Sequence, residues 1–416
     1  MSKIKIGVFG AYRGMAMIDF CAKHPSVTLV AICDKNEAAL KKAKKLLDET
    51  GCKSNLYSDF KDFFNENMDA VVLANYATEH APYAIRFLNS GRHVISEVLP
   101  AQNMAQAVAL CDAVEKSGKI YAYAENYCYF PATNELFRLY REGRFGEFEY
   151  GEGEYVHDCT GIWPAITYGD PEHWRNNMHA NYYCTHSTGP LLHITKLRPK
   201  SVVGLELPPA KRLMDLGGKC GAGALELITL ENGAVIKSLH SLALKREPHA
   251  IWYSLYGEKG MGESSRLEDG VNKITTYLAG KFETYVPKPF VDENITKHFS
   301  KGHFGGDFYP MYYFIHKILG DDAGENSIDV YEALDMWLPG HFAYRSVCNG
   351  NASFKIPDMR NPSERAAFKN DTWCTNPKIA NGDLAPVYSK GTPDIPMEVY
   401  ERVRKMYLEE QEKQQG

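Results

Sequence analysis

The chain has little of what marks a nucleic-acid, membrane or metal protein. Its formal net charge is −5 and it carries no run of lysine or arginine, whereas a protein that grips a phosphate backbone ordinarily shows a basic excess. No nucleic-acid partner is therefore expected. No apolar stretch approaches the roughly 18 residues of a spanning helix, so no membrane partner is expected either. The 10 cysteines are scattered, without Cys-x-x-Cys or a metal-like Cys/His spacing. That argues against a zinc site or a disulfide framework and for reduced thiols in a cytosol. His157 and Asp158 are adjacent, and neighbours on a strand face opposite sides, so no metal is expected there. The first residues enter a strand pattern at once, which predicts a cytoplasmic protein without a signal peptide. No internal repeat shows.

What is present describes an ordinary globular chain, 44% hydrophobic and 24% charged. At 416 residues it is too long for one small core, and two domains are expected. The 26 tyrosines suit a sugar pocket, where rings act as platforms, but cores and oligomer contacts use them equally.

The first third alternates strands and helices. Lys3–Phe9, Val27–Cys33, Asp69–Leu73, His93–Ser96 and Ile120–Ala124 read as short strands. Helices are expected after Gly14, from Glu37, near Asp59–Phe64, over Glu79–Ser90 and over Met104–Ser117. Such alternation predicts βαβ units and a doubly wound parallel sheet, a Rossmann domain over residues 1–130. Its glycine fingerprint is degraded. Gly7-x-x-Gly10-x-x-x-Gly14 lacks the middle glycine, with Tyr12 near that place. The context of strand before, helix after, and Asp34 at the end of the next strand strengthens it. A carboxylate there accepts hydrogen bonds from ribose hydroxyls and repels a 2′-phosphate, which predicts NAD as cofactor rather than NADP. The alternative is that Asp34 only caps the following helix.

From Phe130 the pattern changes. A helix at Asn134–Glu142 precedes long alternating strands at Phe148–His157, Gly223–Leu230, Ala234–Leu242 and Ile251–Gly257, with Glu231-Asn-Gly233 as a hairpin turn. These predict an open mixed, largely antiparallel sheet in an α/β domain over residues 131–358. Helices at Asp307–Ile318 and Ser327–Asn349 are expected to pack back on the first domain. Residues 359–416 read as an extension, a wrap or oligomer arm ending in a helix at Met397–Gln411.

One stretch carries proton-transfer chemistry: Asn181-Tyr-Tyr-Cys-Thr-His-Ser-Thr-Gly-Pro190. Tyr183 and His186 are three apart and share a face if helical. The bland alternative is that Gly189-Pro190 marks a helix start and the rings only pack.

The glycine loop, Asp34, Ala74-Asn-Tyr-Ala-Thr-Glu-His80 and His93-Val-Ile-Ser-Glu97-Val-Leu-Pro-Ala101 together resemble the Gfo/Idh/MocA family of sugar oxidoreductases, over roughly residues 3–358. The resemblance implies a Rossmann domain followed by an α/β domain whose open sheet forms the substrate pocket and often the oligomer contact. A homo-oligomer, a dimer or tetramer, is expected. The departures are informative. Family dehydrogenases have Glu-Lys-Pro at the fourth strand, and Val98 replaces that proton-shuttling lysine. They also have Asp-x-Gly-x-His-x-x-Asp, where this chain has Ser187 and Leu191 in place of the aspartate and histidine.

The same pattern is similar to one branch, the NAD-dependent glycosidases of glycoside hydrolase family 109. Glu125-Asn-Tyr-Cys-Tyr129, Glu152-Gly-Glu-Tyr155-Val-His157, His173-Trp-Arg175, Tyr183-Cys-Thr-His-Ser-Thr-Gly-Pro190, Ser346-Val-Cys-Asn-Gly-Asn351 and Ile356-Pro-Asp358 carry the likeness. It implies a catalytic set of Glu125, Tyr155, Tyr183 and His186. The implied cycle is transient oxidation of sugar C3, C1–C2 elimination, water addition and re-reduction, with no net redox. In that cycle His186 takes the C3 hydroxyl proton, Tyr155 and Tyr183 handle the C2 proton and polarise the carbonyl, and Glu125 assists leaving group or water. A tyrosine base needs a pKa below its ordinary value of about 10.

The positions expected to line the dinucleotide are Gly10, Ala11, Tyr12, Arg13, Gly14, Asp34, Asn75, Ala77, His80, Glu97, Val98 and Asn126. Those expected to meet the carbohydrate are Tyr155, His157, Trp163, Trp174, Arg175, Tyr183, His186 and His249. Each has a structural alternative. The alternative for Glu125 is a turn cap, for Tyr155, Trp163 and Trp174 packing rings, for His157 support or packing, for His80, read as a backbone or nicotinamide anchor, a helix cap, and for Arg175 the partner of an acid. Where the glycosidase branch supplies a sugar-contacting tyrosine from Arg-Pro-Tyr, this chain has Glu247-Pro-His249, so the sugar is left open. Two other readings remain: a glycoside 3-dehydrogenase that stops at the keto sugar, and an inactive NAD-binding sugar sensor.

Overall fold

Six parallel strands make the first sheet: β1 Ile4–Phe9, β2 Val27–Cys33, β3 Asn55–Tyr57, β4 Ala70–Leu73, β5 His93–Ser96 and β6 Tyr121–Tyr123. Their order is β3-β2-β1-β4-β5-β6. Chain direction reverses across the sheet between β1 and β4, and the loops leaving those two strands open the crevice where such sheets take dinucleotides. The computed structural model describes residues 3–267, 271–291, 293–300 and 302–415. β4 is buried along its whole length, as an apolar strand covered on both faces should be. Helices fall where the sequence places them. Asn36 caps Glu37–Thr50 by accepting from the Ala38 and Ala39 N–H groups, and left-handed Gly51 ends it. Asn103 and Gly118 do the same for Met104–Ser117. The edge strand β3 carries no apolar signal in the sequence, being three residues long with none fully buried.

The second sheet has nine strands: β7 Phe148–Val156, β8 Pro199–Glu206, β9 Ala224–Leu230, β10 Val235–Ser241, β11 Ala250–Gly257, β12 Gly260–Ser264, β13 Ile274–Leu278, β14 Lys281–Tyr285 and β15 Phe354–Lys355. They are ordered β14-β13-β12-β11-β7-β10-β9-β8-β15. β7 pairs parallel with β10 and antiparallel with β11, and the other pairings are antiparallel. The expected mixed, largely antiparallel sheet is present. β12 and β14 escape the sequence reading because one is built around two glycines and the other is exposed on both faces.

The two compact units are not sequential blocks cut near residues 130 and 358. The first comprises Met1–Asn134, Lys288–Leu334 and Asp358–Asn370, and the second Glu135–Pro287, Asp335–Pro357 and Asp371–Gly416. Backbone and side-chain bonds draw the later segment into the first unit: Tyr123 N–H donates to Ile328 O at 3.0 Å and Tyr129 Oη to Asn326 O at 2.8 Å. In the second unit the helix Met397–Gln415 is fastened by Tyr400 Oη, which donates to Gly217 O at 3.1 Å.

One helix lies close against the second sheet. It runs Thr185–Thr195 with Pro190 inside, so Gly189-Pro190 does not mark its start. Contact is backbone to backbone: a Cβ on Gly153 of β7 would lie 1.8 Å from Ser187 O. Only glycine permits that approach.

Candidate functional site

In the first unit the turn after β1 is shaped by two glycines. Gly10 has φ +100°, and a Cβ there would lie 2.3 Å from the Ala74 carbonyl group; at Gly14 it would lie 2.4 Å from Gly10 O. The absent middle glycine is replaced by Tyr12, which is 52% exposed. The cradle therefore keeps the two glycines its packing requires and fits a dinucleotide pyrophosphate approaching backbone N–H groups. Asp34 does not cap the next helix, since Asn36 does. Its Oδ2 accepts from the N–H of Ala11 at 2.7 Å and Tyr12 at 3.2 Å, and its Oδ1 from Asn36 at 2.8 Å. The carboxylate at the end of β2 thus fixes the glycine turn itself.

The turns after β4 and β5 are tied by His80. Its Nδ1 lies 3.0 Å from Leu99 O and its Nε2 3.2 Å from Asn75 O. Burial pushes its pKa down to about 4. A neutral ring has one N–H to give, so His80 is a backbone anchor. Ala77 begins the short turn Ala77–Glu79 beside it, and Asn75 Nδ2 donates to Glu79 at 3.3 Å.

Arg13, Glu97 and Asn126 meet around a residue the sequence did not nominate. Arg13 Nη2 lies 2.6 Å from Glu97 Oε1 and 3.0 Å from Asp307 Oδ1. Asn126 Nδ2 donates to Asp307 Oδ1 at 2.7 Å, and His303 Nδ1 lies 2.9 Å from Asp307 Oδ2. Burial alone would raise the Asp307 carboxyl, but His303 and Arg13 hold it well below the usual carboxylate range. Glu97 goes the other way: burial pushes it up to about 7 despite the pull of Arg13. Asp307 begins the helix Phe308–Leu319 without capping it, and no local pattern announces a partner 294 residues away. Val98 is buried. Glu125 is completely buried in this unit, and its carboxylate accepts from Tyr127 N–H at 3.3 Å, capping the turn Asn126–Tyr129.

The other expected residues lie in the second unit, and most of them converge. Tyr155 and His157 sit two apart on one face of β7 and its extension, with Tyr155 Oη 3.1 Å from His157 Nδ1. Ring centroids of Tyr155 and His186 are 5.0 Å apart, those of Tyr183 and His186 5.0 Å, and those of His157 and His249 4.6 Å. Trp174 stacks on Tyr183 at 6.3 Å and 20°. The Arg175 guanidinium stands over both rings, 4.3 Å from the first and 5.7 Å from the second, a cation–π arrangement. Tyr183 ends the short turn Ala180–Tyr183 and His186 opens the helix Thr185–Thr195. The His186 carbonyl has no N–H to receive from Pro190, four residues on. Tyr253 Oη donates to it instead, at 2.5 Å.

One expectation is corrected. Trp163 has no exposed surface and its indole N–H donates to Asn176 Oδ1 at 2.9 Å. It takes the packing role that was its structural alternative, a buried ring held by that bond.

Residues 4–125 match the model of the Gfo/Idh/MocA oxidoreductase family, described as an NAD-binding Rossmann fold. Among curated proteins, the chain is 25% identical to glycosyl hydrolase family 109 protein 1 of Phocaeicola vulgatus over 408 residues, 86% of this chain and 84% of that one. It is 26% identical to a glycosyl hydrolase family 109 protein of Solibacter usitatus over 391 residues, 86% and 88% of the two chains. Among solved structures it is similar to an Agrobacterium radiobacter oxidoreductase in complex with NAD+, L-tartaric acid and magnesium, at 15% identity and TM-score 0.69, over 85% of this chain and 99% of that one. It is likewise similar to levoglucosan dehydrogenase in complex with NADH and L-sorbose, at 16% identity and TM-score 0.68, over 86% of this chain and all of the other. These two likenesses are of fold. Residues 4–125 are thus similar to the NAD-binding Rossmann fold of the Gfo/Idh/MocA oxidoreductase family, and over 86% of its length the chain is similar to glycosyl hydrolase family 109 proteins.

Proposed function

We propose that this protein is an NAD-dependent carbohydrate enzyme that hydrolyses glycosides without net redox. The observation that carries the reading is the cluster of Tyr155, Tyr183 and His186 in the second unit, with ring centroids 5.0 to 6.4 Å apart. It supplies several proton-handling groups in a chain whose Val98 cannot move a proton. The similarity to family 109 glycosyl hydrolases points the same way.

The chemistry a dinucleotide would supply when held there is acceptance of hydride from C3 of the sugar and its later return. His186 takes the C3 hydroxyl proton as the carbonyl forms. That carbonyl acidifies C2–H, and Tyr155 or Tyr183 removes the C2 proton as the C1–oxygen bond breaks. Glu125 protonates the departing oxygen and then draws a proton from the water that adds to C1. As water adds, the tyrosine returns a proton to C2, and His186 returns a proton to the C3 oxygen as that carbonyl is reduced, so glycoside plus water gives free sugar plus alcohol. His157 orients Tyr155 through their 3.1 Å contact, while Trp174, Arg175 and His249 contact the sugar. Gly10, Ala11, Arg13, Gly14, Asp34, Asn75, Glu97 and Asn126 hold the dinucleotide, Asp34 favouring NAD over its 2′-phosphate.

The protein acts as a homo-oligomer in a reducing cytoplasm. Leu205, Leu227, Tyr256, Tyr277 and Phe282 are exposed on the sheet face opposite the helix Thr185–Thr195, a patch suited to a second copy. No disulfide joins cysteines among the described residues. No helix among the described residues is long and apolar enough to cross a membrane.

The test is a panel of p-nitrophenyl glycosides given to purified protein without added NAD. Aglycone release with no accumulating NADH supports the reading. NADH formed in step with an intact keto glycoside replaces it with the dehydrogenase. A retained dinucleotide with no chemistry on any glycoside replaces it with the sensor.

A further inference from the structure

Beneath the Tyr183–His186 turn lies a polar platform that belongs to neither ligand set. Strand register places Glu226 of β9 directly opposite Ser238 of β10, with His240 two residues further along the same face. All three are buried, Glu226 and Ser238 completely. A carboxylate so deep costs several kcal/mol unless it is paired and hydrogen-bonded. Glu226 is both. Its Oε1 accepts from Asn181 Nδ2 at 2.7 Å, its Oε2 accepts from Ser238 Oγ at 2.5 Å, and His240 Nδ1 lies 3.6 Å from Oε2. Burial alone would lower the His240 pKa, yet the charge and contact of Glu226 raise it. The far nitrogen of His240 meets the Ala180 carbonyl.

The partners on the other side are what give the platform meaning. Ser187 Oγ lies 2.7 Å from Ser238 Oγ and 2.8 Å from the Cys184 carbonyl; with the Ser238 proton committed to Glu226, the one Ser187 proton is shared between those two acceptors. The platform therefore grips Ala180 and Asn181 before Tyr183 and His186, and Ser187 after them. Ser187 stands where dehydrogenases of the resembled family have an aspartate. A small hydroxyl there reaches the sheet through Ser238 and leaves His186 as the ionisable group of the turn.

We infer that Glu226 is a positioning residue, which through Asn181 on one side and Ser238–Ser187 on the other fixes the turn that presents Tyr183 and His186. Its catalytic consequence rests on the proposed glycosidase reading, but its structural half is testable without turnover. Glu226→Ala removes both links. Glu226→Gln keeps them, since its carbonyl accepts from Asn181 and its amide pairs with Ser238, while removing the charge.

The experiment reads two signals on the holoprotein. Steady-state kinetics on the best glycoside should show kcat falling about 10-fold in Glu226→Ala with KM nearly unchanged, because misplaced groups damage the chemical step. Glu226→Gln should recover most of that loss. Diethylpyrocarbonate labelling, mapped by mass spectrometry, should rise several-fold at His186 in Glu226→Ala and stay near wild type in Glu226→Gln, with the exposed His298 of the first unit as the reference. Folded Glu226→Ala with wild-type kcat and wild-type His186 labelling overturns the inference. So does an equal loss in both variants that merely tracks melting temperature. If the wild type turns over no glycoside, the functional reading fails and labelling alone decides the positioning claim. If Glu226→Ala does not fold, Ser238→Ala, which cuts the Ser187 link together with the Ser238–Glu226 bond but leaves Asn181 on Glu226, must raise His186 labelling, and no rise overturns the inference.

Discussion

Replacing Glu97 with glutamine should stabilise the first unit at neutral and mildly alkaline pH and leave it nearly unchanged in acid. The carboxyl is 5% exposed. Burial lifts its pKa from 4.5 to about 7, with Arg13 opposing and Asp307 reinforcing the shift. Between those two values the native protein holds a proton that the unfolded chain has already released. The stability that goes with the neutral carboxyl is therefore complete below about pH 4.5 and is lost as pH rises through about 7. At about 1.4 kcal/mol per pH unit, the loss comes to about 3 kcal/mol. Glutamine has no proton to lose and keeps one oxygen, which can face Arg13, as Oε1 does now, or accept the Val98 N–H, as Oε2 does now at 3.3 Å, but not both. Thermal melts of the dinucleotide-free protein, wild type beside Glu97→Gln, follow the difference from pH 5 to pH 8. A domain of this size moves by about 2–4 °C per kcal/mol, so the variant should gain several degrees across that window. Parallel pH curves for the two proteins would refute the reasoning, since they would mean the buried carboxyl titrates alike in native and unfolded chains.

Tyr253→Phe should cost about 1–3 kcal/mol by leaving the buried His186 carbonyl unpaired. Adding Pro190→Ala restores an N–H four residues on, so denaturant melts of the double variant should show less than the summed loss, and simple additivity contradicts the pairing. Trp163→Phe should lower stability by about 1 kcal/mol through its lost bond to Asn176 with KM unchanged, whereas Trp174→Ala should raise KM with little effect on melting. A raised KM in Trp163→Phe would return that ring to the ligand wall. Asp34→Ala should weaken NAD binding by freeing the Ala11 and Tyr12 N–H groups and narrow the preference over NADP, read by titration calorimetry with both. An unchanged preference would show that Asp34 acts on the turn alone.

Much of the fold was legible because local chemistry and tertiary demand agree. His93–Ser96 and Met104–Ser117 come out residue for residue, the first as a short apolar strand and the second between an asparagine cap and a left-handed glycine. Where the signal lies in distant partners, it was not legible. Trp163 lies among apolar neighbours, Ile162-Trp-Pro-Ala-Ile166, and Trp174 among polar ones, but the bond from the Trp163 indole to Asn176, 13 residues on, is visible only in the fold. Asp307 reads as a helix start, yet its side chain serves Arg13 and Asn126. Glu226 looks like one alternating position of a strand until the register sets it opposite Ser238. In contrast, helical spacing singled out Tyr183 and His186, the likeness to the glycosidase branch nominated Tyr155 and His157, and folding brings the four together in the second unit.

The central claim is that a hidden oxidation opens the glycosidic bond, and isotope placement tests it most directly. The purified protein, with no dinucleotide added, is given its best p-nitrophenyl glycoside in D₂O, and the released sugar is analysed by NMR. The account predicts deuterium at C2, because the proton taken there exchanges before water addition completes, and ordinary hydrogen retained at C3, because the same hydride returns. Released sugar with hydrogen at C2 would contradict it, since that product requires direct displacement at C1.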